Sequence, residues 1–159
     1  MKNSLKVVIY IILLILITLI CCMFFIKPKI INFKTTKEYV YILNNRKEIE
    51  KIIIRNNAQL GEKCYKLDIE KGYDILNNID IKKETELWCS DPNIYLEFYF
   101  NNGTYKEIHF ECDNLVYDGI KYELKDKFIL INKDEYIPDK ITKGMVIISN
   151  NDKIDCERK

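Results

Sequence analysis

A histidine flanked by two glutamates is the strongest candidate for chemistry in this chain. His109 is the only histidine among the 159 residues, and Glu107 and Glu111 stand two positions to either side of it. On a strand, side chains two positions apart share a face, and Glu97 would lie across a predicted hairpin on that face. Carboxylate and imidazole groups together are ligands for zinc or a harder metal ion. The same spacing is also what an ordinary solvent-facing strand gives, and this is the favoured interpretation.

No recognised catalytic motif accompanies these residues. The sequence contains no G-x-S-x-G, no H-E-x-x-H, no P-loop and no dinucleotide-binding glycine pattern. A cysteine–histidine nucleophile pair would need His109 beside Cys64, Cys89 or Cys156, and nothing in the spacing requires this. We therefore expect a protein that is not an enzyme and has no cofactor, with a metal-dependent enzyme as an alternative.

Four of the six cysteines lie outside the N-terminal apolar segment, at Cys64, Cys89, Cys112 and Cys156. An even number outside the cell is compatible with two disulfides in any of three connectivities. The candidates for pairing are Cys64, Cys89 and Cys156. Cys112 is expected to be unpaired, because the alternation of the predicted strand places it on the core face.

Tyrosines are numerous around the predicted hairpins. Tyr95 and Tyr99 belong to the same strand as Glu97 and alternate with apolar residues. Tyrosine is enriched in protein interfaces, so these two side chains are a candidate recognition surface. Aromatic pairing between neighbouring strands explains them equally well.

The stretch from Val7 to Ile26 is predicted to be a transmembrane anchor after a short tail of residues 1–6. It has 20 residues without a charge, which as a helix reach about 30 Å, the thickness of a bilayer's hydrocarbon core. A cleavable signal would need a shorter apolar region and small residues at the cleavage site. Neither Cys21 nor Cys22 follows the small residue that bacterial lipidation requires. We expect a permanent single-pass anchor bound to the lipid bilayer.

Lysines follow the anchor, so local charge counting does not by itself favour a cytoplasmic N-terminus. They also suit anionic headgroups. Long domains are translocated largely regardless of charge, and we expect the N-terminus inside and the domain outside the cytoplasm at the cell membrane. The flanking lysines are Lys27, Lys29, Lys34 and Lys37.

The remainder divides into a juxtamembrane linker, 27–35, and one extracytoplasmic α+β domain, 36–159. From residue 27 onward there are 23 basic and 24 acidic side chains, without blocks of like charge. Such a balance gives no electrostatic footprint for nucleic acid.

Alternation predicts an antiparallel β-meander packed against one or two helices. Residues 94–100 and 106–112 form a hairpin, and 115–117 and 120–124 form a second around Asp118-Gly119. Strands are also predicted at 51–55, 63–67 and 144–149, whereas 128–132 suits a strand or a helix. Helices are predicted over 37–43, with Tyr39, Val40 and Leu43 at helical spacing, and over 69–79, with Asp68 as N-cap.

Two stretches of the chain resemble uncharacterised membrane-anchored or secreted proteins of low-GC Firmicutes, clostridia especially. They are KIIIRNNAQLGEKCYKLDIEKGYDILNNIDIKKETELW (51–88) and IYLEFYFNNGTYKEIHF…NLVYDGIKYELKDKF (94–128). The shared pattern is an N-terminal hydrophobic segment, a strand–turn–strand, a helix, and hairpins ending in an (I/V)-x-(D/N)-G-x-x-Y turn. The resemblance implies a bacterial envelope location and an α+β fold. A weaker similarity is to small viral membrane proteins that mediate fusion.

Three functional hypotheses follow. The first is a non-enzymatic, membrane-anchored module that binds an envelope or surface partner through its exposed sheet face. The second is an immunity-type or inhibitor protein that guards the membrane against a secreted toxin. The third is a metal-dependent enzyme that uses Glu107, His109 and Glu111. The first is favoured because the chain combines a permanent anchor with a thin inventory of catalytic groups.

Overall fold

The structure, a computed structural model, describes residues 10–18, 31–58, 61–86, 89, 93–136 and 138–156. Residues 10–18 are helical, and the rest of the predicted anchor, together with the tail 1–6, lies outside the described residues. Within the part that is described, no helix is long and apolar enough to cross a bilayer.

An eight-stranded sheet forms the centre of the domain, and every neighbouring pair in it is antiparallel. The α+β class and the antiparallel sheet of the sequence analysis are confirmed. The strands are β1 (Ile49–Ala58), β2 (Gly61–Leu67), β3 (Ile81–Glu84), β4 (Asn93–Phe100), β5 (Tyr105–Glu111), β6 (Asn114–Tyr117), β7 (Ile120–Leu124) and β10 (Lys153–Ile154). Their spatial order is β10-β2-β1-β4-β5-β6-β7-β3.

Two further strands, β8 (Ile129–Asn132) and β9 (Met145–Ile148), form a separate parallel pair. The sequence left 128–132 open between strand and helix, and the structure makes it a strand. The 144–149 segment is also a strand, as predicted. Neither strand extends the meander, so the C-terminal part of the domain is organised differently from the predicted hairpins.

The two predicted helices are present as α1 (Lys37–Asn44) and α2 (Ile69–Asn78). Asp68 caps α2 as predicted, its Oδ1 accepting a hydrogen bond from the Lys71 amide at 2.7 Å. The apolar face predicted for α1 is partly wrong. Tyr39 is buried, but Ile42 rather than Val40 and Leu43 is the second core residue, and these two are exposed.

The hydrophobic core lies between one face of the sheet and a layer formed by α1, α2 and the β8–β9 pair. Leu96, Phe98 and Ile108 supply the sheet side of this core. The ring of Phe128, just before β8, stacks on Phe110 of β5 with centroids 4.1 Å apart. Gly72 of α2 is buried against Ile52 of β1, which brings the helix close to the sheet.

The domain begins earlier than the predicted boundary at residue 36. Phe33 is only 3% exposed and belongs to the core, and Ile31 packs against the same core. Residues Phe33–Thr35 form a 3-10 turn before Thr36 caps α1. Part of the predicted linker 27–35 is therefore part of the folded domain.

Candidate functional site

Alternation along the strands places a polar, aromatic set of side chains on the sheet face opposite the helices. We call it the tyrosine face. Tyr95, Glu97 and Tyr99 lie between the core residues of β4, and the pairing of β4 with β5 sets Glu97 opposite Glu107 and Tyr95 opposite His109. The predicted position of Glu97 across the hairpin is confirmed. The face consists of Arg55, Tyr95, Glu97, Tyr99, Tyr105, Glu107 and His109.

Glu97 is the centre of this face and is completely buried. Arg55 of β1 is only 7% exposed and binds this carboxylate with two hydrogen bonds. Its Nε donates to Glu97 Oε1 at 2.8 Å, and its Nη2 donates to Oε2 at 3.3 Å. Arg55 Nη1 also donates to Glu62 Oε1 at 2.7 Å. The hydrogen bond to Glu97 raises the pKa of Arg55 further above its ordinary value. Both groups are therefore held as a charged pair inside the sheet face.

Two tyrosine hydroxyls complete the shell around Glu97. The Tyr99 hydroxyl donates to Glu97 Oε2 at 2.9 Å, and the Tyr105 hydroxyl lies 3.2 Å from Oε1. Burial, followed by the hydrogen bond to Glu97, raises the pKa of Tyr99 to about 12. Burial also raises the pKa of Tyr105. Both rings are thus fixed, and their hydroxyls stay protonated at neutral pH.

The proposed metal ligands share a face but do not converge. The Glu107 carboxylate accepts a hydrogen bond from the Tyr105 hydroxyl, while Glu111 Oε1 accepts one from Lys121 Nζ at 2.6 Å. His109 Nε2 lies 3.0 Å from Asn93 Oδ1. Among the described residues, no three histidine, cysteine, aspartate or glutamate side chains form a group that could hold a metal ion. Each of the three side chains lies within hydrogen-bonding distance of a neighbouring polar side chain on the sheet.

The edge of the tyrosine face is formed by stacked rings. His109 stacks on Tyr95 with centroids 4.5 Å apart and planes 12° from parallel. Burial lowers the pKa of His109 below its ordinary value, so the imidazole is neutral at pH 7. On the other side, Lys51 Nζ lies 4.7 Å from the centre of the Tyr99 ring. Tyr95 and Tyr99, the predicted recognition residues, thus lie on the same half-buried surface.

Two disulfides join the sheet to neighbouring segments of the chain. Cys64 of β2 is bonded to Cys156, with Cα atoms 5.3 Å apart, and lies opposite Arg55 in the β1–β2 pairing. Cys89 is bonded to Cys112, with Cα atoms 6.3 Å apart. The structure differs here from the sequence analysis, which expected an unpaired Cys112 on the core face. Strand β5 ends at Glu111, and Cys112 begins the turn to β6 with a φ of 57°.

A separate depression of about 210 Å³ lies between α2 and β9 on the helical side. Its lining combines apolar side chains such as Ile75 and Met145 with polar ones such as Asp74. The Lys71 amino group, which also lines it, already donates to the Ile147 carbonyl. This depression lacks the concentration of buried charge that marks the tyrosine face.

Sequence reasoning missed Arg55 as a site residue. In the sequence, Arg55 is a single charged residue directly after the run KIII, and strand propensity alone places such a residue at the end of a strand. Its contact with Glu97 depends on the register of β1 against β4, in which Ile53 is opposite Glu97 and Arg55 is diagonal to it.

Comparison with known proteins adds no family to this description. The chain matches no protein-family model, no curated protein and no solved structure. The site's own geometry therefore has to support any functional conclusion.

Proposed function

We propose that the chain is a single-pass membrane protein whose extracytoplasmic domain binds a protein partner of the cell envelope through the tyrosine face. The observation that supports this is a pair of ordered tyrosines. The Tyr99 hydroxyl donates to the buried Glu97 carboxylate, and the Tyr105 hydroxyl donates to Glu107 and lies 3.2 Å from Glu97 Oε1. Aromatic side chains that are already ordered lose little conformational entropy when a partner covers them. Tyrosine also offers a large apolar ring together with a polar group, which is why it is enriched in interfaces.

The domain works in this proposal without catalysing a reaction. A general acid or base is most effective when its pKa lies near the working pH. The pKa of Tyr99 is raised to about 12, and Arg55 and Glu97 neutralise each other within a buried pair. These groups organise a surface and are poorly suited to exchanging protons with a substrate.

Two features support the extracytoplasmic location. The run from Val7 to Ile26 has the length and composition of a membrane anchor. The two disulfides, Cys64–Cys156 and Cys89–Cys112, are of a kind that persists in oxidising compartments and is rare in the cytosol. Intact cells treated with a membrane-impermeant maleimide test this. Labelling only after prior reduction is expected. Labelling only after permeabilisation, with a denatured control to exclude mere burial, would contradict it.

Photo-crosslinking from defined positions tests the binding surface. A benzophenone amino acid replaces Tyr95, on the tyrosine face, or Tyr136, which is 64% exposed and lies outside that face. We expect a discrete crosslinked partner from position 95 in intact cells and none of the same mass from position 136. The same products from both positions, or none from position 95 in a folded, correctly located protein, would overturn the proposal. A secreted toxin captured at position 95 would instead identify the immunity-type alternative.

A further inference from the structure

The distance between the proposed anchor and the folded domain is short. The apolar run ends at Ile26, and Ile31 already packs against the core, with Phe33 buried two residues later. Five Cα-to-Cα steps of an extended chain span at most about 18 Å. If the anchor lies in a bilayer, as the proposed function requires, the start of the domain must therefore stay within about 18 Å of the end of the membrane segment.

Charge is unevenly distributed between this start and the rest of the domain. Residues 27–47 carry six basic side chains and one acidic side chain, a net +5, whereas residues 48–159 carry 17 basic and 23 acidic side chains, a net −6. The one acidic residue of the first group, Glu38, is half-buried and its carboxylate interacts with the hydroxyl of Tyr117. We call the segment 27–47 the positive pole. Within it Arg46 forms an ion pair with Glu70 of α2, and Lys34, Lys37 and Lys47 are exposed.

The outer surface of α1 combines this positive charge with exposed apolar side chains. Tyr39 and Ile42 point into the core, so Val40 and Leu43 lie on the outer side of the helix, 41% and 44% exposed. They are three positions apart and therefore adjacent on the helix surface. Lys37, one turn before Val40, is also exposed. An apolar patch bordered by lysine is the pattern of a helix that lies in a membrane interface.

We propose that the outer face of α1 lies on the anionic surface of the bilayer that holds the anchor. Val40 and Leu43 enter the boundary between headgroups and acyl chains, and the lysines of the positive pole contact lipid phosphates. This inference rests on the proposed anchor. Because α1 and the tyrosine face lie on opposite sides of the sheet, the docked domain presents the tyrosine face away from the membrane, where a partner protein can reach it.

Fluorescence quenching in the full-length protein tests this docking. In a Trp88→Phe background, which removes the only native tryptophan, Val40→Trp introduces one reporter and Tyr136→Trp a control. Tyr136 is also exposed, at 64%, and follows Glu135, which pairs with Lys63 of β2, whereas α1 contacts β5. The proteins are reconstituted into phosphatidylcholine vesicles with or without phosphatidylglycerol, with brominated acyl chains as quencher.

We expect the reporter at position 40 to lose emission to brominated lipid and to shift to the blue in vesicles with phosphatidylglycerol. The control at position 136 should be unaffected. Reversing charge with Lys34→Glu and Lys37→Glu should abolish the quenching without extracting the protein from the vesicles. Leu43→Trp provides a second reporter if the position-40 variant does not fold.

The outcomes separate this inference from the proposed function. Protein that is removed from vesicles by alkaline extraction would show that the anchor itself is wrong. Protein that resists extraction, but whose reporters at positions 40 and 43 are quenched no more than the control, would overturn the docking alone. Quenching at position 40 that does not respond to phosphatidylglycerol or to the lysine substitutions would overturn the anionic surface as the docking site.

Discussion

The imidazole ring of His109 lies flat against the phenol ring of Tyr95, with their centroids 4.5 Å apart. The stack partly removes His109 from water, and this burial lowers its pKa in the folded state. Glu111 and Glu107 act in the opposite direction, and Lys121 adds to the lowering. The only histidine of the chain is thus a neutral part of the tyrosine face at pH 7.

Replacing His109 with glutamine should reduce the acid sensitivity of the domain. Unfolded histidine has a pKa of about 6.5, so the unfolded chain takes up a proton at a higher pH than the folded one. Stability is therefore lost as the pH falls through this value toward the lower folded pKa. We expect the free energy of unfolding, measured by urea titration, to fall less between about pH 7 and pH 5 in His109→Gln than in the wild type. Equal losses in the two proteins would refute this role for burial.

Removing the charge of Glu97 should destabilise the domain strongly. Glu97→Gln removes the buried carboxylate charge that pairs with the guanidinium of Arg55, and breaking a buried pair typically costs about 3 kcal/mol or more. Urea denaturation measures the loss. The matched control is Glu70→Gln, which breaks the exposed pair between Glu70 and Arg46 and should have little effect. A cost for Glu97→Gln no greater than that of the control would contradict the arrangement described.

An alanine at position 72 should be harmful although alanine favours helices. A Cβ at Gly72 would overlap Ile52 Cδ1, and overpacking typically costs about 1–3 kcal/mol against a gain in helix propensity of about 1 kcal/mol. Ile52→Val removes the atom concerned. We expect Gly72→Ala to lower the melting temperature in the wild type and to lower it less, or raise it, in the Ile52→Val background. Equal effects in both backgrounds would exclude this contact as the cause.

The effect of backbone strain at Cys112 can be measured separately from the effect of its disulfide. Once Cys89→Ala has removed the disulfide, position 112 still begins the β5–β6 turn with a φ of 57°, which glycine adopts at no steric cost. The Cys112→Gly form should therefore be more stable than the Cys112→Ala form by about 1 kcal/mol. Chemical denaturation of the two proteins provides the comparison. Alanine equal to or better than glycine would show that the turn relaxes once the bond is absent.

The sequence predicted the elements whose signals are local. The two hairpins were found because Leu96, Phe98, Ile108 and Phe110 alternate with polar residues, and because Asp-Gly favours the tight turn observed at Asp118, whose φ is 51°. The N-cap at Asp68 was likewise visible in the chain itself.

Features set by distant pairing were not predictable in this way. Strand β3 reads as IKKE, with one apolar residue in four, and is a strand because β7 lies beside it. The side of α1 that is buried depends on the sheet it meets, so Ile42 is buried in place of the predicted Val40 and Leu43. The pairing of Arg55 with Glu97 required a register across 42 residues of sequence.

The bond between Cys64 and Cys156 also determines how the domain would carry a mechanical load. The two cysteines are 92 residues apart in sequence and adjacent in space. Tension applied between the N-terminal side of the domain and Cys156 passes through the covalent bond and bypasses the chain between the cysteines. Only the segment before Cys64, including β1, can be drawn out. The hairpin that carries Tyr95, Tyr99 and Tyr105 lies in sequence between the two cysteines and carries none of this tension. A partner bound to the hairpin would therefore be held by a part of the domain that pulling between these two points cannot extend.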